Sequence, residues 1–561
     1  MNFKRKIFIF SSLSILFMLI YTRSASAATY TVAQDGSGDF TTIQAGVDTA
    51  YAGDSLYIRK GSYTEEVSIS NSGTSSNPII IKAYPGEEVN IRGDLPDPDF
   101  DNPHQPTRGS IPSSEWSSLV TISGNWIVFD GFIVSNSSGD GIATTGDHIT
   151  LRDNKSQYNW RSGIRMISGS GVIIQNNEVY YSSRVSERLV GTCCWSSAIS
   201  ISRGGVKDVI VRRNVVHEHW GIGINAYEAN QDGEGEILFE DNIVWNVSHS
   251  HYYMGNCYNA TYQRNISYNT PDSIFYYQKE VGGSRRFGDS FNYTDEVVDS
   301  TNLKAKNAKV INNLFWRGNT GFYFYNQTSE AESGLNDLTF ANNTIIDPLS
   351  YAFIIYAGAH SDSLIANNII VSNHPITGSG VGDPGITFSH NLWTVAPPSD
   401  VRSENPNDDI IGDPHISRTG SITGGELAAE WFKLTSSSPA IDRGIPLPEV
   451  FDDYFRSIRD TNPDIGAHEY SGTQPSTTPL PTNTPKPTVT NTPTTTPPQC
   501  TRSNGDANGD GRAALYDYAV WANYFAPFVR NYGGPTVGDF NCDNYVDLTD
   551  YASWAYYFTP I

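Results

Sequence analysis

Residues 209–228, VIVRRNVVHEHWGIGINAYE, decide the fold of this chain. Hydrophobic and polar residues alternate around Val209 and again around Ile224, and alternation of this kind predicts β-strands. Asn214 lies at the bend that follows the first strand. An Asn follows a short apolar segment at nine places, which are Asn154, Asn177, Asn214, Asn242, Asn265, Asn313, Asn343, Asn368 and Asn391. By subtraction, five of the eight consecutive spacings are 23 to 28 residues, a period typical of a stacked solenoid.

We interpret the repeated Asn side chains as structural, because stacked amides at one bend can bond to each other and to the turning backbone. Two spacings are longer, 37 residues from Asn177 to Asn214 and 48 residues from Asn265 to Asn313. The longer one is enough for two coils or for one coil with a long excursion. Long loops on one side of a solenoid usually form its binding face. We therefore expect insertions at 181–195 and 278–307 to form the walls of a cleft.

The ends of the chain differ from the repeats. Residues 1–27 are basic, then apolar, then small, the order of a secretory signal peptide. A strand at Thr29–Val32 and a short helix over 42–50, capped by Thr41 or Thr42, should close the first coil. Residues 438–444 and 463–470 should form a terminal coil. Residues 472–499 are rich in Pro and Thr and indicate an extended linker, so we assign 28–471 to the solenoid and 500–561 to a separate domain.

Charge and cysteine content narrow the class of protein. The formal net charge of -23 argues against nucleic acid or an anionic membrane as a partner. An acidic polysaccharide would need a locally basic groove or a bridging cation. Five cysteines are too few to hold so large a fold together. Cys500 and Cys542 are expected to pair, whereas the sequence does not choose among Cys193, Cys194 and Cys257.

The last 62 residues contain a duplicated acidic loop with a spacing of 33 residues, from Asp506 to Asp539 by subtraction. Oxygen-bearing residues recur at the positions that wrap a Ca²⁺ ion, and Arg512 and Tyr545 would supply backbone carbonyls. The sequence therefore predicts two Ca²⁺ sites. Their predicted ligands are Asp506, Asn508, Asp510, Arg512 and Asp517 in the first loop, and Asp539, Asn541, Asp543, Tyr545, Asp547 and Asp550 in the second.

The duplicated C-terminal loops and the N-terminal opening of the solenoid each resemble a known protein family. The duplicated loops, each followed by an aromatic segment (YAVWANYFAP and YASWAYYFTP), resemble a type I dockerin, which implies a small all-α domain and a cohesin scaffold as partner. The opening TYTVAQDGSGDFTTIQAGVDTAYAGDSLYIRKGSYTEEV is similar to the start of many secreted right-handed parallel β-helix proteins. That group includes pectate and alginate lyases, polygalacturonases and uronan epimerases. The resemblance implies an all-β right-handed parallel β-helix, with a short N-terminal capping helix, that acts on a polysaccharide outside the cell.

Candidate catalytic residues follow from the alternation. If Ile164, Ile199 and Ile224 point inward, then Arg165, Ser200 and Asn225 point outward from the same sheet. Such a face would bring basic, acidic and aromatic groups to a sugar polymer. The candidates on it are Arg165, Arg203, Tyr227 and Glu228, joined by His217, Glu218 and His219 from a loop and by Lys279, with His249 and His251 nearby.

Three functions remain open at this stage. For β-elimination of a uronate, Lys279, His217, His219 or Tyr227 would be the base, and Arg165, Arg203 or a further catalytic Ca²⁺ would neutralise the substrate carboxylate. For hydrolysis, Glu218 and Glu228 would be the carboxylate pair. The third function is carbohydrate binding or adhesion without catalysis. We narrowly favour a lyase over a glycoside hydrolase.

Overall fold

A computed structural model describes residues 27–97, 113–187, 196–203, 205–275, 286–296, 304–326, 333–401 and 408–472. The predicted signal peptide, except its last residue, lies outside the described residues. The linker beyond residue 472, the predicted Ca²⁺ loops, Cys193 and Cys194 lie outside them too, so these predictions stay predictions.

The described strands form three sheets in which every strand pairs in parallel with its neighbours. Sheet A contains Thr29–Val32, Ser55–Ile58, Ile79–Ala83, Ile127–Asp130, Ile149–Arg152, Ser170–Gln175, Lys207–Arg212, Ile237–Glu240, Tyr258–Gln263, Lys306–Ile311, Thr339–Ala341, Ser363–Ala366 and Ile386–Ser389. Sheet B contains Gly61–Tyr63, Val89–Arg92, Ile133–Ser135, Lys155–Gln157, Glu178–Tyr180, Val215–His219, Ile243–Val247, Ile266–Tyr268, Leu314–Trp316, Thr344–Ile346, Ile369–Val371, Leu392–Trp393 and Ile410–Ile411. Sheet C contains Val67–Ile69, Val120–Ile122, Ile142–Thr144, Ile164–Met166, Ser197–Ser202, Ile222–Tyr227, Ser250–Gly255, Asp289–Asp295, Phe322–Asn326, Phe353–Ile355 and Ile376–Thr377.

The chain visits sheets A, B and C in turn, so three strands make one coil of a parallel β-helix. Residues 209–228 cover most of one coil, and they contain parts of three strands where the sequence suggested two. Inward aliphatic side chains such as Val209, Val211 and Ile224 are fully buried. Burial of each of these side chains contributes about 1.5–3 kcal/mol to the free energy of folding. The inward positions of the strands are therefore aliphatic, and this produces the alternating pattern in the sequence. The predicted parallel β-helix is confirmed.

The Asn series forms one continuous ladder at the bend between sheets A and B. In each coil the Asn Oδ1 accepts two hydrogen bonds from the Asn of the preceding coil, one from its backbone N–H and one from its Nδ2. For example, the Oδ1 of Asn242 lies 3.0 Å from both nitrogens of Asn214. All nine residues named above take part, and the interpretation of them as structural is confirmed.

The first coil is closed by the expected helix, Ile43–Thr49. Thr42 is its N-cap, because the hydroxyl oxygen accepts a hydrogen bond from the backbone N–H of Ala45 at 3.3 Å. Ile43 and Val47 are buried and face the core. The other helical segments are the α-helix Arg184–Glu187 and the 3-10 turns Ser113–Glu115, Ser399–Val401 and Ala429–Phe432. In the part of the chain that the structure describes, no helix is long and apolar enough to cross a membrane.

The C-terminal segment 413–470 corrects one prediction, because it does not form a terminal coil. Its hydrophobic residues instead cover the outer face of sheet B, where Trp431 packs 5.8 Å from Trp316, measured between ring centroids. The backbone N–H of Gly425 donates to the hydroxyl of Tyr268 at 2.7 Å. Sheet B therefore has a second, smaller hydrophobic layer on its outside, and the sequence pattern alone did not reveal it.

A buried charge network ties this segment to the solenoid. Arg264, whose side chain is 1% exposed, pairs with Glu240 at 2.6 Å and with Asp452 at 3.2 Å. Arg459 pairs with Glu469 at 3.1 Å and donates to Asn312 Oδ1 at 2.8 Å. These contacts join residues that are up to 188 positions apart in the sequence.

The two longer spacings both correspond to connections around sheet C. Residues 181–196 link Glu178–Tyr180 of sheet B to Ser197–Ser202 of sheet C. The predicted insertion 278–307 is not one loop, because it contains the sheet C strand Asp289–Asp295. The 48-residue spacing is therefore one coil with an excursion on either side of that strand. Among the described residues, Cys257 is a buried free thiol.

Candidate functional site

The outer face of sheet C carries the candidate site. Ile164, Ile199 and Ile224 are in register and buried, as the alternation predicted. Arg165 is in register with Ser200, and Ser200 with Asn225, so these three form an outward row that continues through later coils. The next members of that row are Tyr253, Asn292 and Tyr323.

A pocket of about 490 Å³ opens on this face, across the strands Ile222–Tyr227, Ser250–Gly255, Asp289–Asp295 and Phe322–Asn326. The lining residues that matter for chemistry are Tyr227, His249, Tyr253, Arg286, Glu296 and Tyr323. Aromatic rings, one carboxylate, one imidazole and one guanidinium thus converge in a concave site. A convergence of this kind is typical of a site for a polar ligand.

Two tyrosines share one carboxylate at the centre of the pocket. The Tyr227 hydroxyl donates to Glu296 Oε2 at 3.1 Å, and the Tyr253 hydroxyl donates to the other oxygen, Oε1. Thr294 Oγ1 in turn donates to the Tyr253 hydroxyl at 2.6 Å. Burial first, and then the negative charge of Glu296, raise the pKa of both tyrosines. The raised pKa keeps Tyr227 protonated at neutral pH and does not favour the base role suggested from the sequence, which stays a prediction.

The backbone around Glu296 fixes this carboxylate in place. Asn256 Oδ1 accepts a hydrogen bond from the Glu296 N–H at 2.8 Å, and Asn256 Nδ2 donates to the Glu296 carbonyl at 2.7 Å. Gly255 is in register with Tyr227 and follows Tyr253 by two residues on the same strand, and it leaves room for both rings. A Cβ at Gly255 would lie 2.9 Å from both Tyr227 Cδ2 and Tyr253 Cε1, closer than carbon atoms approach.

His249 and Arg286 lie on another wall of the pocket. His249 Nδ1 is 2.8 Å from Ser250 Oγ. Burial lowers the pKa of His249 to about 4; Asp289 acts against this effect and Arg286 adds to it. Arg286 forms an ion pair with Asp289 and lies 5.6 Å from the ring centroid of Tyr323. At neutral pH this wall therefore offers a neutral imidazole beside a positive guanidinium.

Arg165 and Arg203 lie on the same face but nearer the N-terminus. Arg165 Nη1 is 3.5 Å from the buried carboxylate of Asp140, and Arg161 Nη1 is 3.8 Å from the same oxygen. Arg203 follows the strand Ser197–Ser202 on the next coil and is exposed. The two predicted arginines are therefore brought together, with Arg161 added, but in the register Arg165 is three coils from Tyr253.

His217, Glu218 and His219 are not on this face, which corrects the prediction that they join it from a loop. They belong to the sheet B strand Val215–His219. His217 is stacked between Tyr180 and Trp245, and it contacts Glu178 and Glu218. Burial opposes charge on His217, but hydrogen bonds to the two carboxylates raise its pKa overall. His251, named as a neighbour, is also fully buried.

His219 is 0% exposed, and burial lowers its pKa to about 3, so it cannot reach a substrate. The carboxylate pair proposed for hydrolysis, Glu218 and Glu228, is separated as well. The strand Ile222–Tyr227 lies between them and is about 17 Å long at the usual rise per residue. Paired carboxylates must be about 5–9.5 Å apart, so this pair does not fit hydrolysis.

Lys279 and all the predicted Ca²⁺ ligands lie outside the described residues. Within the described ranges, no group of three or more His, Cys, Asp or Glu side chains is arranged to hold a metal ion. Glu296 and Arg286 were missed by the sequence reasoning because they border the long excursions, where no alternation marks them. Tyr253 had a usable signal, since aligning SHYYMG with IGINAY puts it next to Asn225.

The fold and this face define a parallel β-helix protein with a polar, aromatic pocket on one sheet. No protein-family model matches the chain. The chain is 41% identical over 78 residues to "Pectate lyase PEL9" of Emericella nidulans, an alignment that covers 12% of this chain. The chain spans only 19% of the length of that curated relative.

Two solved structures align with most of this chain. The pectate lyase Pel9A matches with a TM-score of 0.43 and 18% identity, covering 79% of this chain and 97% of that one. A rhamnogalacturonan lyase matches with a TM-score of 0.45 and 16% identity, covering 73% of this chain and 97% of that one.

Proposed function

We propose that this protein is a polysaccharide lyase that cleaves a uronate-containing polymer by β-elimination in the pocket on sheet C. One observation carries the proposal. A neutral imidazole, a guanidinium and two protonated tyrosines line the same pocket. β-Elimination needs these three roles, which are a base, a group that neutralises the substrate carboxylate, and an acid for the leaving oxygen.

The roles can be assigned to residues. His249 takes the proton from the sugar carbon next to the carboxyl group, since its imidazole is neutral at pH 7. Arg286 balances the negative charge that gathers on that carboxylate. The electron pair of the broken C–H bond forms the new C=C bond, and the C–O bond to the next sugar breaks. Tyr227 or Tyr253 gives its proton to the departing oxygen, and Glu296 holds both hydroxyls in position.

The 41% identity to a pectate lyase over 78 residues supports a polygalacturonate-type polymer as the first substrate to test. Pectate polymers carry a carboxylate on each sugar, which suits a pocket with a guanidinium on its wall. Export from the cell, two Ca²⁺ ions in the loops after residue 500 and a cohesin scaffold as partner belong to the same proposal. They rest on the sequence motifs described above. A further Ca²⁺ at the pocket remains an alternative to Arg286 for neutralising the substrate.

A glycoside hydrolase is the second candidate, and one observation favours it. Glu228 and Glu296 both act on the pKa of Tyr227, and they lie on turns two coils apart. Two coils span about 9.6 Å, near the upper end of the carboxylate separation in inverting hydrolases. Glu228 thus keeps a role in this second candidate, but with Glu296 as its partner in place of Glu218.

The test is an activity assay on a panel of acidic and neutral polysaccharides, with Ca²⁺ and with chelator. A lyase produces unsaturated sugars that absorb ultraviolet light, together with new reducing ends. We expect both signals from polygalacturonate. His249→Gln should lower kcat by about 10²–10⁴-fold, the usual contribution of a general base. His374→Gln, an exposed histidine near the sheet C strand Ile376–Thr377, is the matched control and should retain full activity.

Reducing ends without ultraviolet absorbance would refute the lyase and support the hydrolase, in which case Glu228→Gln should abolish activity. Neither signal on any substrate would refute both enzymes and favour a binding protein. Full lyase activity in His249→Gln would leave the reaction standing but remove His249 as the base.

A further inference from the structure

A cluster of arginines lies outside the pocket, on the same face of sheet C. Arg161 and Arg165 share the carboxylate of Asp140, which is 3% exposed. The guanidinium of Arg161 lies 4.8 Å from the ring centroid of Trp116, a distance at which the ring attracts the cation. The Asp140 carboxylate is itself held by the backbone N–H of Ser162 at 3.0 Å. Arg161 is thus fixed between an aromatic ring and a buried anion.

Arg203 adds a third positive charge to this cluster. Burial lowers the pKa of Arg161; Asp140 acts against this effect, and the positive charges of Arg165 and Arg203 reinforce it. Three guanidinium groups therefore lie near one another, and two of them, Arg161 and Arg165, share the carboxylate of Asp140. In a protein with a formal net charge of -23, such a concentration of positive charge stands out. Burying like charges together costs free energy, so the cluster suits a negatively charged ligand.

The register relates the cluster to the pocket. The outward row runs from Arg165 through Ser200 and Asn225 to Tyr253, one residue per coil. Three coils correspond to about 14 Å along the solenoid. The cluster and the pocket thus lie at two positions along one row of outward side chains. A single extended polymer lying across the strands would contact both.

We propose that Arg161 and Arg165 form an anchoring subsite for a carboxylate of an anionic polysaccharide, remote from the unit that reacts, and that Arg203 guides the polymer between this subsite and the pocket. The proposal rests on the lyase function for its substrate class. Arginine recognises carboxylates with paired hydrogen bonds, and the packing of Arg161 against Trp116 reduces the entropy lost on binding. The subsite makes the protein select long acidic chains over short ones.

The test compares Arg161→Gln/Arg165→Gln with wild type on polygalacturonate and on trigalacturonate. When a bond of the trimer lies in the pocket, at most two sugar units extend beyond it, too few to cross the about 14 Å to Arg165. We expect KM for the polymer to rise about tenfold or more, as for lost charge-assisted hydrogen bonds, with kcat unchanged. Neither constant should change for the trimer. Arg418→Gln is the matched control, because Arg418 also lies over a Trp ring, 5.7 Å from the centroid of Trp431, on the C-terminal segment.

Because Arg161 and Arg165 are partly buried, the exposed Arg203→Gln is made as a second variant that should fold normally. Its KM for the polymer should rise in the same direction. Electrophoresis through gels containing polygalacturonate measures binding without catalysis, and retardation should weaken in both variants but not in Arg418→Gln.

Equal changes on polymer and trimer in Arg161→Gln/Arg165→Gln, or no change on the polymer in that variant, would overturn the subsite while leaving the lyase intact. If wild type binds the polymer without cleaving it and the variants lose that binding, the subsite stands although the proposed reaction fails.

Discussion

Gly255 determines how closely the two pocket tyrosines approach. We predict that Gly255→Ala separates their rings, because the added Cβ would meet both at 2.9 Å, and so disturbs the shared bonds to Glu296. Displacement of catalytic groups by about 1 Å can cost about 100-fold in rate, so kcat/KM should fall by about 10–100-fold. Initial rates and circular dichroism measure activity and folding side by side. Gly412→Ala, where nothing lies within 4 Å of the new Cβ, is the control. Equal activity in both variants would contradict the tyrosine arrangement.

His219 gives a pH prediction at the same scale. Its ring nitrogens have no hydrogen-bond partner among the described residues, and burial lowers its pKa to about 3 in the folded protein. The unfolded chain has the ordinary histidine pKa of about 6.5, so it takes up the proton first as the pH falls. The contribution of His219 to the free energy of unfolding is therefore largest above pH about 6.5. It decreases as the pH falls from about 6.5 toward about 3.

We expect His219→Leu to match or exceed the wild-type melting temperature at neutral pH, since an apolar side chain leaves no buried polar atom unpaired. The advantage of the variant should grow as the pH is lowered by about two units from 6.5. Melting curves at both pH values measure this, and unchanged lyase activity would agree with the buried position of His219. A constant difference at the two pH values would contradict the lowered pKa.

At the scale of one element, the Asn ladder predicts a large local cost. Asn242 accepts two bonds from Asn214 and donates to Val211 O and to Asn265. Asn242→Ala leaves these buried groups unpaired and should cost about 2–5 kcal/mol of unfolding free energy. Asn462→Ala, at an exposed turn, should cost almost nothing. Chemical denaturation of both variants measures the difference. Equal stabilities would show that water replaces the ladder bonds.

The ladder was predicted from the sequence, but the left-handed backbone of the residue before each Asn was not. That residue has a positive φ in every coil of the ladder, between 52° and 56°. Seven of these nine residues are Asn, Asp or His, the types most often found in left-handed backbone, and the other two are Arg. The series is Asp153, Asn176, Arg213, Asp241, Arg264, Asn312, Asn342, Asn367 and His390. The Asn is constant because its side chain is buried and bonded. The preceding residue needs only to tolerate the left-handed backbone, which residues without β-branching do at moderate cost.

The strand Val215–His219 shows why part of the site was misplaced. Its residues read as a polar loop, because His217 and Glu218 interrupt the apolar pattern. The structure uses them as a strand, since the stack of His217 between Tyr180 and Trp245 supplies the burial that alternation normally signals. The sequence-based interpretation therefore placed residues of sheet B and residues of sheet C on the same face. Arg165, Asn225 and Tyr227 were assigned to the correct face because aliphatic neighbours mark their strand.

At the scale of the whole molecule, the solenoid and its N-terminal cap could be predicted, because both depend on local periodicity. The course of the C-terminal segment could not. It follows the outside of sheet B and is held by Arg264 and Arg459, whose partners are far away in the sequence. Long-range pairing of buried charges leaves no periodic signal, so only a three-dimensional structure identifies it.

Because the C-terminal segment covers the outer face of sheet B, that face stays exposed during synthesis until the segment has been made. Coils that carry Tyr268 and Trp316 emerge from the ribosome before the residues that cover them, and Trp431 follows Trp316 by 115 positions, by subtraction. At about 5–20 residues per second the aromatic surface stays uncovered for about 6–23 s. A nascent chain with such a surface is vulnerable to association with its neighbours until residues 425–470 arrive. The charges of Arg264 and Glu240 mark the place where the late segment docks.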